Sequence, residues 1–328
     1  MNPVCSLLGG WSAGAHGGRA AALSRAAGWT AVSLLPFLPA PAAGAAAPPP
    51  MVEMVSHVGI SRVAFTRLNE NDAKAAYKVL NAELARKLGY DLSVEISQFD
   101  TPAEFARAIR AQRISYIIAG TWEFLNMAVE DSVDIEFSAV NGDTFAHRWL
   151  LLVRRDSGIT TVGELKGKAV TLLYNNMATL GRPWLETELL EQGLGTPERF
   201  FGSCEAVTKP TGAVLPVFFG KAQACIVDEA TLNLMVELNP QLRTVLVPVA
   251  QSEPLLDGII CFSRDGWPSP QARADMRRSI AHLEQEASGR QLLTLFKCSR
   301  LVTFEPAHLA SVRRLFARHH QLLAAAPP

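Results

Sequence analysis

The stretch that decides the fold is Ala-His-Arg-Trp-Leu-Leu-Leu-Val-Arg-Arg-Asp-Ser-Gly-Ile, residues 146–159. Its apolar centre, residues 149–153, is flanked by charged residues and is followed by the turn-forming sequence Asp-Ser-Gly. A short apolar run bounded by turn residues indicates a buried β-strand. We interpret the stretch as a crossing between two compact lobes, because the pattern of strands and helices starts again after it.

A second apolar run of the same make-up, residues 258–264, predicts a return crossing. We therefore expect residues 51–150 and 255–328 to form lobe I and residues 151–254 to form lobe II. Two crossings between two lobes imply a cleft between them.

Strand and helix patterns alternate in both halves, which predicts parallel sheets with right-handed crossover helices. In the first half, the predicted strands are residues 54–60, 92–98, 114–119 and 134–140. In the second half, they are residues 169–173, 200–205, 223–227 and 244–248. After residue 264 we expect helices only, at residues 272–286 and 309–323.

Composition limits the class of protein. The chain has 328 residues, of which 48% are hydrophobic, so each of two domains has enough apolar side chains for a core. Its 31 basic and 31 acidic side chains give a formal net charge of zero. Since nucleic-acid-binding domains are basic, no nucleic-acid partner is expected.

The first fifty residues have a different composition, rich in Ala, Gly and Pro and without acids. Arg19 and Arg25 precede an apolar segment, residues 26–38, and small residues suited to a signal peptidase follow near Ala45 or Ala47. We interpret residues 1–50 as a secretory signal peptide, which predicts a periplasmic protein; a disordered Ala/Pro-rich leader is the alternative. No other stretch reaches the roughly 18 to 20 apolar residues of a membrane span.

Motifs for catalysis, metal binding or cofactor binding are not found. Beyond the leader the chain has four cysteines, none with the spacing of a zinc site: Cys204, Cys225, Cys261 and Cys298. The sequence also lacks a nucleophile elbow, a phosphate-binding loop and a dinucleotide fingerprint. We expect no metal, no cofactor and no enzymatic activity, and in an oxidising compartment Cys204 or Cys298 could form a disulfide.

The tail of the opening stretch carries a family resemblance. Residues 151–159, Leu-Leu-Val-Arg-Arg-Asp-Ser-Gly-Ile, are followed by Glu-Leu-Lys-Gly-Lys at residues 164–168. This resembles the V-x-R-x-D-S-G-I … L-K-G-K pattern of phosphate/phosphonate-type ABC transporter periplasmic solute-binding proteins, over residues 55–310. The resemblance implies an α/β, two-lobed type II periplasmic-binding-protein architecture. Each lobe would be a mixed, mostly parallel sheet flanked by helices, and two hinge crossings would join the lobes.

The resemblance also implies a ligand site in the cleft, where helix N-termini face a small anionic solute such as a phosphonate, a phosphate ester or another oxyanion. The family's Ser/Thr-rich ligand loop corresponds to residues 175–181, Asn-Asn-Met-Ala-Thr-Leu-Gly. Three residues of this loop keep hydrogen-bonding side chains: Asn175, Asn176 and Thr179. The family's usual His in the next loop has no counterpart, and Lys209 lies there instead.

Four further residues are candidates for ligand contact, each with a structural alternative. Asp228 ends a predicted strand, where it could accept a hydrogen bond from a ligand ammonium or hydroxyl or cap the next helix. Trp122 could line the cleft or pack a helix on the sheet. Arg62 lies in the first loop, and His147 at the crossing could touch the ligand or brace the hinge.

The leading hypothesis is an exported, monomeric solute-binding protein that closes over its ligand and presents it to an ABC permease in the inner membrane. A periplasmic partner of a sensor histidine kinase is one alternative. An enzyme on the same two-lobed fold is another, and it would use Cys204 or His147.

Overall fold

The computed structural model describes residues 52–61, 70–140, 142, 144–175, 179–296 and 298–325. The leader at residues 1–50 lies outside this part of the chain, and so do Arg62 and Asn176. Within it, no helix combines the length and the apolar character that crossing a membrane requires.

The strands fall in two groups separated by the first crossing. Those before it are β1 Val52–Ser61, β2 Tyr90–Phe99, β3 Tyr116–Gly120, β4 Val133–Val140 and β5 Ala146–His147. Those after it are β6 Trp149–Arg154, β7 Ala169–Leu173, β8 Ser203–Val207, β9 Ala224–Asp228, β10 Leu246–Gln251, β11 Leu255–Leu256, β12 Gly258–Ser263 and β13 Arg300–Thr303.

The helices follow the strands in alternation through most of the chain. They are α1 Glu70–Leu88, α2 Pro102–Arg110, α3 Thr121–Met127, α4 Gly181–Glu191, α5 Pro197–Phe200, α6 Pro210–Phe218, α7 Glu229–Leu238, α8 Gln241–Val245, α9 Pro270–Ala281, α10 Ala287–Leu295 and α11 Ala310–Ala325. Side-chain caps fix several of their starts: Thr101 for α2, Asp228 for α7 and Ser269 for α9.

Two mixed sheets carry the fold. The first has six strands in the order β13-β4-β12-β3-β1-β2, and the second has five in the order β10-β6-β9-β7-β8. β1 pairs in parallel with β2 and β3, and β7 pairs in parallel with β8 and β9. β12 and β6 run antiparallel to their neighbours, as expected for strands that follow a crossing. The predicted α/β fold with two mixed, helix-flanked sheets is confirmed.

The two crossings lie side by side as a short antiparallel ladder. The return crossing is at β11, just before the predicted residues 258–264, which form β12 inside the first sheet. Leu255 of β11 pairs with His147 of β5, and Leu256 pairs with Ala146. The opening stretch therefore contains both a crossing, at β5, and the strand that follows it, β6, which lies wholly inside the second sheet. Residues 149–153 are all buried there, which explains their apolar character.

The family-like motif after β6 has a structural role in this fold. The Arg154 guanidinium forms two hydrogen bonds with the Asp156 carboxylate, at 2.8 and 2.6 Å. Gly158 follows with φ +74°, a conformation that favours glycine. Glu164 then accepts hydrogen bonds from the backbone N–H groups of Thr160 and Thr161 at 2.7 and 3.0 Å. The motif therefore builds a compact turn between β6 and β7.

The C-terminal region differs from the all-helical prediction. Arg300–Thr303 forms β13, which pairs antiparallel with β4 at the edge of the first sheet. Four residues are too few to show an alternating pattern, so the sequence gives no strand signal there. The single helix expected at residues 272–286 ends at Ala281, and α10 forms a separate helix.

Another expectation for secondary structure was also partly wrong. The strand predicted at residues 200–205 starts only at Ser203, because Pro197 begins the short helix α5.

The last helix, α11, lies against α3 and also against α4. It therefore contacts helices associated with both sheets.

Candidate functional site

In each sheet, the strand ends on one side face the crossings, and we call this side the cleft edge of the sheet. β1 and β3 end at Ser61 and Gly120, and the antiparallel β12 begins on the same edge because Gly258 pairs with Gly120. In the second sheet, β9 ends at Asp228, which pairs with Trp149 at the start of β6. Since β5 leads into β6 and β11 leads into β12, these two edges face each other across a cleft. In open α/β sheets, ligands bind outside such strand ends.

The loop after β7 contacts the first sheet. The Thr179 hydroxyl lies 3.4 Å from the position that a Cβ atom at Gly120 would occupy. α4 begins two residues later, at Gly181, where a Cβ atom would lie only 2.3 Å from the Trp149 ring. Glycine at this position lets the helix N-terminus approach the start of β6, next to the cleft.

Two hydrogen bonds from Thr121 join the start of α3 to the return crossing. The Thr121 N–H donates to the Asp257 carbonyl at 2.9 Å, and its hydroxyl donates to the Leu256 carbonyl at 2.5 Å. The start of α3 is therefore fixed to the return crossing. This places Asp257 beside the N-terminus of α3.

Two carboxylates from opposite edges come together in the cleft. Asp228 is buried, and its two oxygens accept hydrogen bonds from the Thr231 N–H at 2.7 Å and the Thr231 hydroxyl at 2.6 Å. Asp257 is also buried, and no described residue is a hydrogen-bond partner of its Oδ1. Burial, and secondarily the charge of Asp228, raise the pKa of Asp257 well above its usual value.

A third acid lies at the same edge. Burial raises the pKa of Glu123, and a hydrogen bond from Ser61 opposes that rise. Burial also raises the pKa of Tyr174, with a further contribution from the charge of Glu123. Tyr174 follows β7 whereas Glu123 is in α3, so this interaction crosses the cleft.

The remaining predicted residues of the second sheet's edge have different environments. Asn175 is buried, and its side-chain amide donates to the Thr208 carbonyl at 3.1 Å, which joins the loops after β7 and β8. Lys209 is exposed and occupies the N-cap position of α6. Thr179 and Asp228 thus lie at the facing strand ends, Asn175 braces its loop, and the contact of Lys209 with ligand stays a prediction.

Trp122 contacts the last helix. Its ring centroid is 5.2 Å from those of Phe316 and His319, both in α11, with edge-to-face geometry. His319 also lies 3.0 Å from the Glu186 carboxylate of α4. Trp122 therefore joins α3 to α11, and its contact with ligand stays a prediction.

His147 lies on the first crossing itself. Its Nδ1 is 3.4 Å from the Thr144 hydroxyl, and no described residue is a partner of its buried Nε2. His147 pairs with Leu255 of the return crossing. This position fits both of its predicted roles, as a hinge brace and as a ligand contact.

The thiol and metal chemistry of the described residues is limited. Burial raises the pKa of the Cys204 thiol, which disfavours the reactive thiolate form. All four cysteines of the described part of the chain are free thiols. Among these residues, no group of three or more His, Cys, Asp or Glu side chains is arranged to hold a metal ion.

Sequence reasoning missed the residues that give the cleft its acidic character: Asp257, Glu123 and Tyr174. Asp257 directly precedes the predicted return strand, and Glu123 follows the predicted strand that ends near Gly120. Their position next to strand ends was a usable signal. What the sequence does not show is that the return crossing places Asp257 beside Asp228.

The arrangement of two mixed sheets, two adjacent crossings and a cleft at the strand ends defines the class of two-lobed periplasmic binding proteins. The family model for the ABC transporter phosphonate periplasmic substrate-binding protein matches residues 63–310. The chain belongs to this family, whose members are periplasmic solute-binding components of transporters.

Solved structures with the same fold are distant in sequence. A Xanthomonas citri protein bound to ATP superposes with a TM-score of 0.62 at 16% identity, covering 83% of this chain and 99% of that one. A binding protein component of an ABC phosphonate transporter from Pseudomonas aeruginosa gives 0.57 at 13% identity, covering 83% and 88%. PhnD1 from Prochlorococcus marinus in complex with methylphosphonate gives 0.55 at 15%, covering 81% and 98%. No curated protein matches the chain in sequence.

Proposed function

We propose that this protein binds a small oxyanion-bearing solute, such as a phosphonate, a sulfonate or a phosphate ester, in the cleft and presents it to an ABC permease. The observation that carries the proposal is the position of Thr179. Its hydroxyl lies where the two sheets approach each other, two residues before the start of the eleven-residue helix α4. A hydroxyl and the N-terminal N–H groups of a helix together suit an oxyanion.

The acids of the cleft are compatible with an anionic ligand because burial raises the pKa of two of them. Burial raises the pKa of both Asp257 and Glu123, which lowers the negative charge that would oppose an oxyanion. Asp228 is different, since both of its oxygens already accept hydrogen bonds from Thr231. It would accept a further bond from an ammonium or hydroxyl elsewhere on the ligand.

The other predicted contacts extend this site. Asn175 and Asn176 are in the same loop as Thr179, and Arg62 follows β1, which ends at the cleft edge. We propose that Trp122 of α3, His147 of the first crossing and Lys209 at the start of α6 also contact the ligand. We propose that closure brings the ligand to this set.

The partner follows from the family. Periplasmic substrate-binding proteins deliver solutes to a permease of the inner membrane, and we propose this role for the chain, as a non-catalytic monomer exported by its leader. A sensor histidine kinase is the alternative partner. Genes for a permease and an ATPase beside this gene would favour transport.

The test is ligand binding by the purified protein. We expect at least one of inorganic phosphate, methylphosphonate or ethanesulfonate to raise the thermal midpoint and to give a saturable calorimetric signal. At a hundred times Kd the stabilisation is about 2.7 kcal/mol.

A matched pair of variants locates the site. Thr179→Val should weaken binding about 10-fold or more, because a hydrogen bond to a charged group contributes about 1.5–3 kcal/mol. Thr294→Val, on the exposed face of α10, removes a hydroxyl away from the cleft and should not change affinity. Indifference of the wild-type protein to all three anions would refute the proposal.

A further inference from the structure

A cavity inside the core of the first sheet opens near the cleft edge. Its volume is about 90 Å³, and its lining includes Gly120, Gly258 and Asp257 at one end and Tyr116 and Tyr77 at the other. Gly120 and Tyr116 are the two ends of β3, so the cavity extends along this strand for about 13 Å at 3.3 Å per residue. It is therefore long and narrow.

Small residues line the end of the cavity at the cleft edge, which we call its mouth. Gly120, Gly258 and Ala139 lie on three adjacent strands, β3, β12 and β4, near the cleft edge of the sheet. All three residues are only half-buried, as is Ile118, although β3 is a central strand. A central strand residue is normally covered, so this partial exposure shows that the sheet is loosely packed here, and the cavity is only partly enclosed.

The wall of the cavity is mostly apolar, and besides Asp257 the lining residues with polar groups are Tyr77, Tyr116 and Cys298. Leu283, Leu292 and Phe296 cover it from the helical side. Asp257 lines the mouth, is about nine-tenths buried, and has an Oδ1 atom without a hydrogen-bond partner among the described residues. A buried polar atom normally has a partner, so its presence here points to a donor that the described residues do not supply.

We propose that this cavity is a binding subsite for a short unbranched aliphatic chain of the solute, with a donor group of the solute, an ammonium or a hydroxyl, hydrogen-bonded to Asp257. This rests on the proposed function, because the chain enters from the cleft where the oxyanion is held. The volume corresponds to about three water-sized groups, since each takes about 30 Å³ of liquid. The subsite thus accommodates about three or four carbon atoms, and its narrow shape favours a chain over a ring.

The first experiment measures affinity by calorimetry for n-alkylphosphonates from methyl to pentyl. We expect affinity to rise about 4-fold per methylene, the factor that corresponds to burying one CH₂ group. The gain should stop at propyl or butyl, where the cavity is full.

Two variants test whether the gain comes from this cavity. Ala139→Leu fills the cavity. Methylphosphonate should then bind as tightly as it does to wild type, while the increase in affinity with chain length should disappear. Ala281→Leu is the matched control, because Ala281 packs against the same core without lining the cavity, and it should keep the gain. Gly258→Ala is a milder second variant, since its Cβ would lie 3.5 Å from the Ala139 Cβ, an ordinary contact; it should reduce the gain.

A second probe series removes the oxyanion. We expect n-alkylammonium ions, ethyl to butyl, to gain affinity with length, and Asp257→Asn to weaken n-butylammonium about 10-fold. One outcome supports the subsite and refutes the oxyanion proposal. In that outcome, phosphonates do not bind, the affinity of the alkylammonium ions rises with chain length, and Ala139→Leu removes this rise. If methylphosphonate binds but neither series gains with length, the subsite is overturned and the proposed function stands.

Discussion

The hydroxyl of Thr179, from the loop after β7, lies 3.4 Å from where a Cβ atom at Gly120, the last residue of β3, would lie. The two sheets thus approach each other at a residue without a side chain. Any side chain at this position must occupy the space that Thr179 now faces.

Gly120→Val should therefore hold the cleft partly open. The backbone of Gly120, with φ −67° and ψ 147°, is accessible to valine, so the effect is steric and not a matter of backbone strain. We expect a larger radius of gyration by small-angle X-ray scattering and weaker ligand binding. Gly163→Ala, at a glycine with no neighbouring atom near its Cβ position, is the control. Equal radii for Gly120→Val and wild type would contradict the contact.

Asp257→Asn should stabilise the protein at neutral pH. Burial raises the pKa of Asp257 in the folded state, so the folded protein binds this proton more tightly than the unfolded chain does. The stability from this group is complete below the unfolded pKa of about 3.9 and is lost as the pH rises through the folded pKa. The variant's thermal midpoint should exceed that of wild type by a few degrees at neutral pH, and the difference should shrink towards pH 4.

Asp156→Asn should lower the thermal midpoint at neutral pH, which is opposite to the change expected for Asp257→Asn. The hydrogen bonds from Arg154 lower the pKa of Asp156, so this group contributes stability above its unfolded pKa and loses it as the pH falls. Its effect should be small because the carboxylate is exposed. Midpoints that shift in the same direction for both variants at neutral pH would refute the assignment for Asp257.

Glu123→Gln should lower the pKa of Tyr174. Burial is the larger cause of the raised pKa of Tyr174, so this pKa should stay above its ordinary value after the Glu123 charge is removed. The phenolate absorbance of Tyr174, isolated by difference from Tyr174→Phe, measures this shift. Glu130→Gln removes a charge that pairs with Arg313 and should not change the titration. No shift for Glu123→Gln would mean that the two residues are apart in solution.

Gly158→Ala should destabilise the fold without changing affinity. At φ +74° an L-residue costs about 1–2 kcal/mol, which lowers the thermal midpoint by roughly 2–4 °C per kcal/mol in a protein of this size. The residue lies beyond Arg154, at the opposite end of β6 from Trp149 and the cleft. A changed ligand affinity at an unchanged midpoint would be the contrary result.

The sequence predicted the fold better than the site for a physical reason. The signals of β6, the Asp-Ser-Gly turn and the Glu164 cap are local, and each fixes backbone within a few residues. The cleft depends on contacts between distant parts of the chain, such as Thr121 with the carbonyl of Asp257. No periodicity reports these contacts. β13 was missed because its four residues gain their strand geometry from pairing with β4.

Candidate site residues were likewise easier to predict where their interactions are local in sequence. Asp228 was found because it directly follows an apolar strand, and its cap on α7 is a local interaction. Trp122 was ambiguous, since its neighbours Phe316 and His319 are remote in sequence. Asp257 was missed, because its importance comes from burial beside a residue of the other sheet.

The ladder between β5 and β11 makes the two crossings move as one body. Leu255 and Leu256 are paired with His147 and Ala146, so neither crossing can twist without carrying the other. We therefore expect relative motion of the sheets to be a rotation about a single axis, with one equilibrium constant between the open and closed states. Because apparent affinity scales with that constant, substitutions in this ladder can retune how tightly a solute is held without touching it.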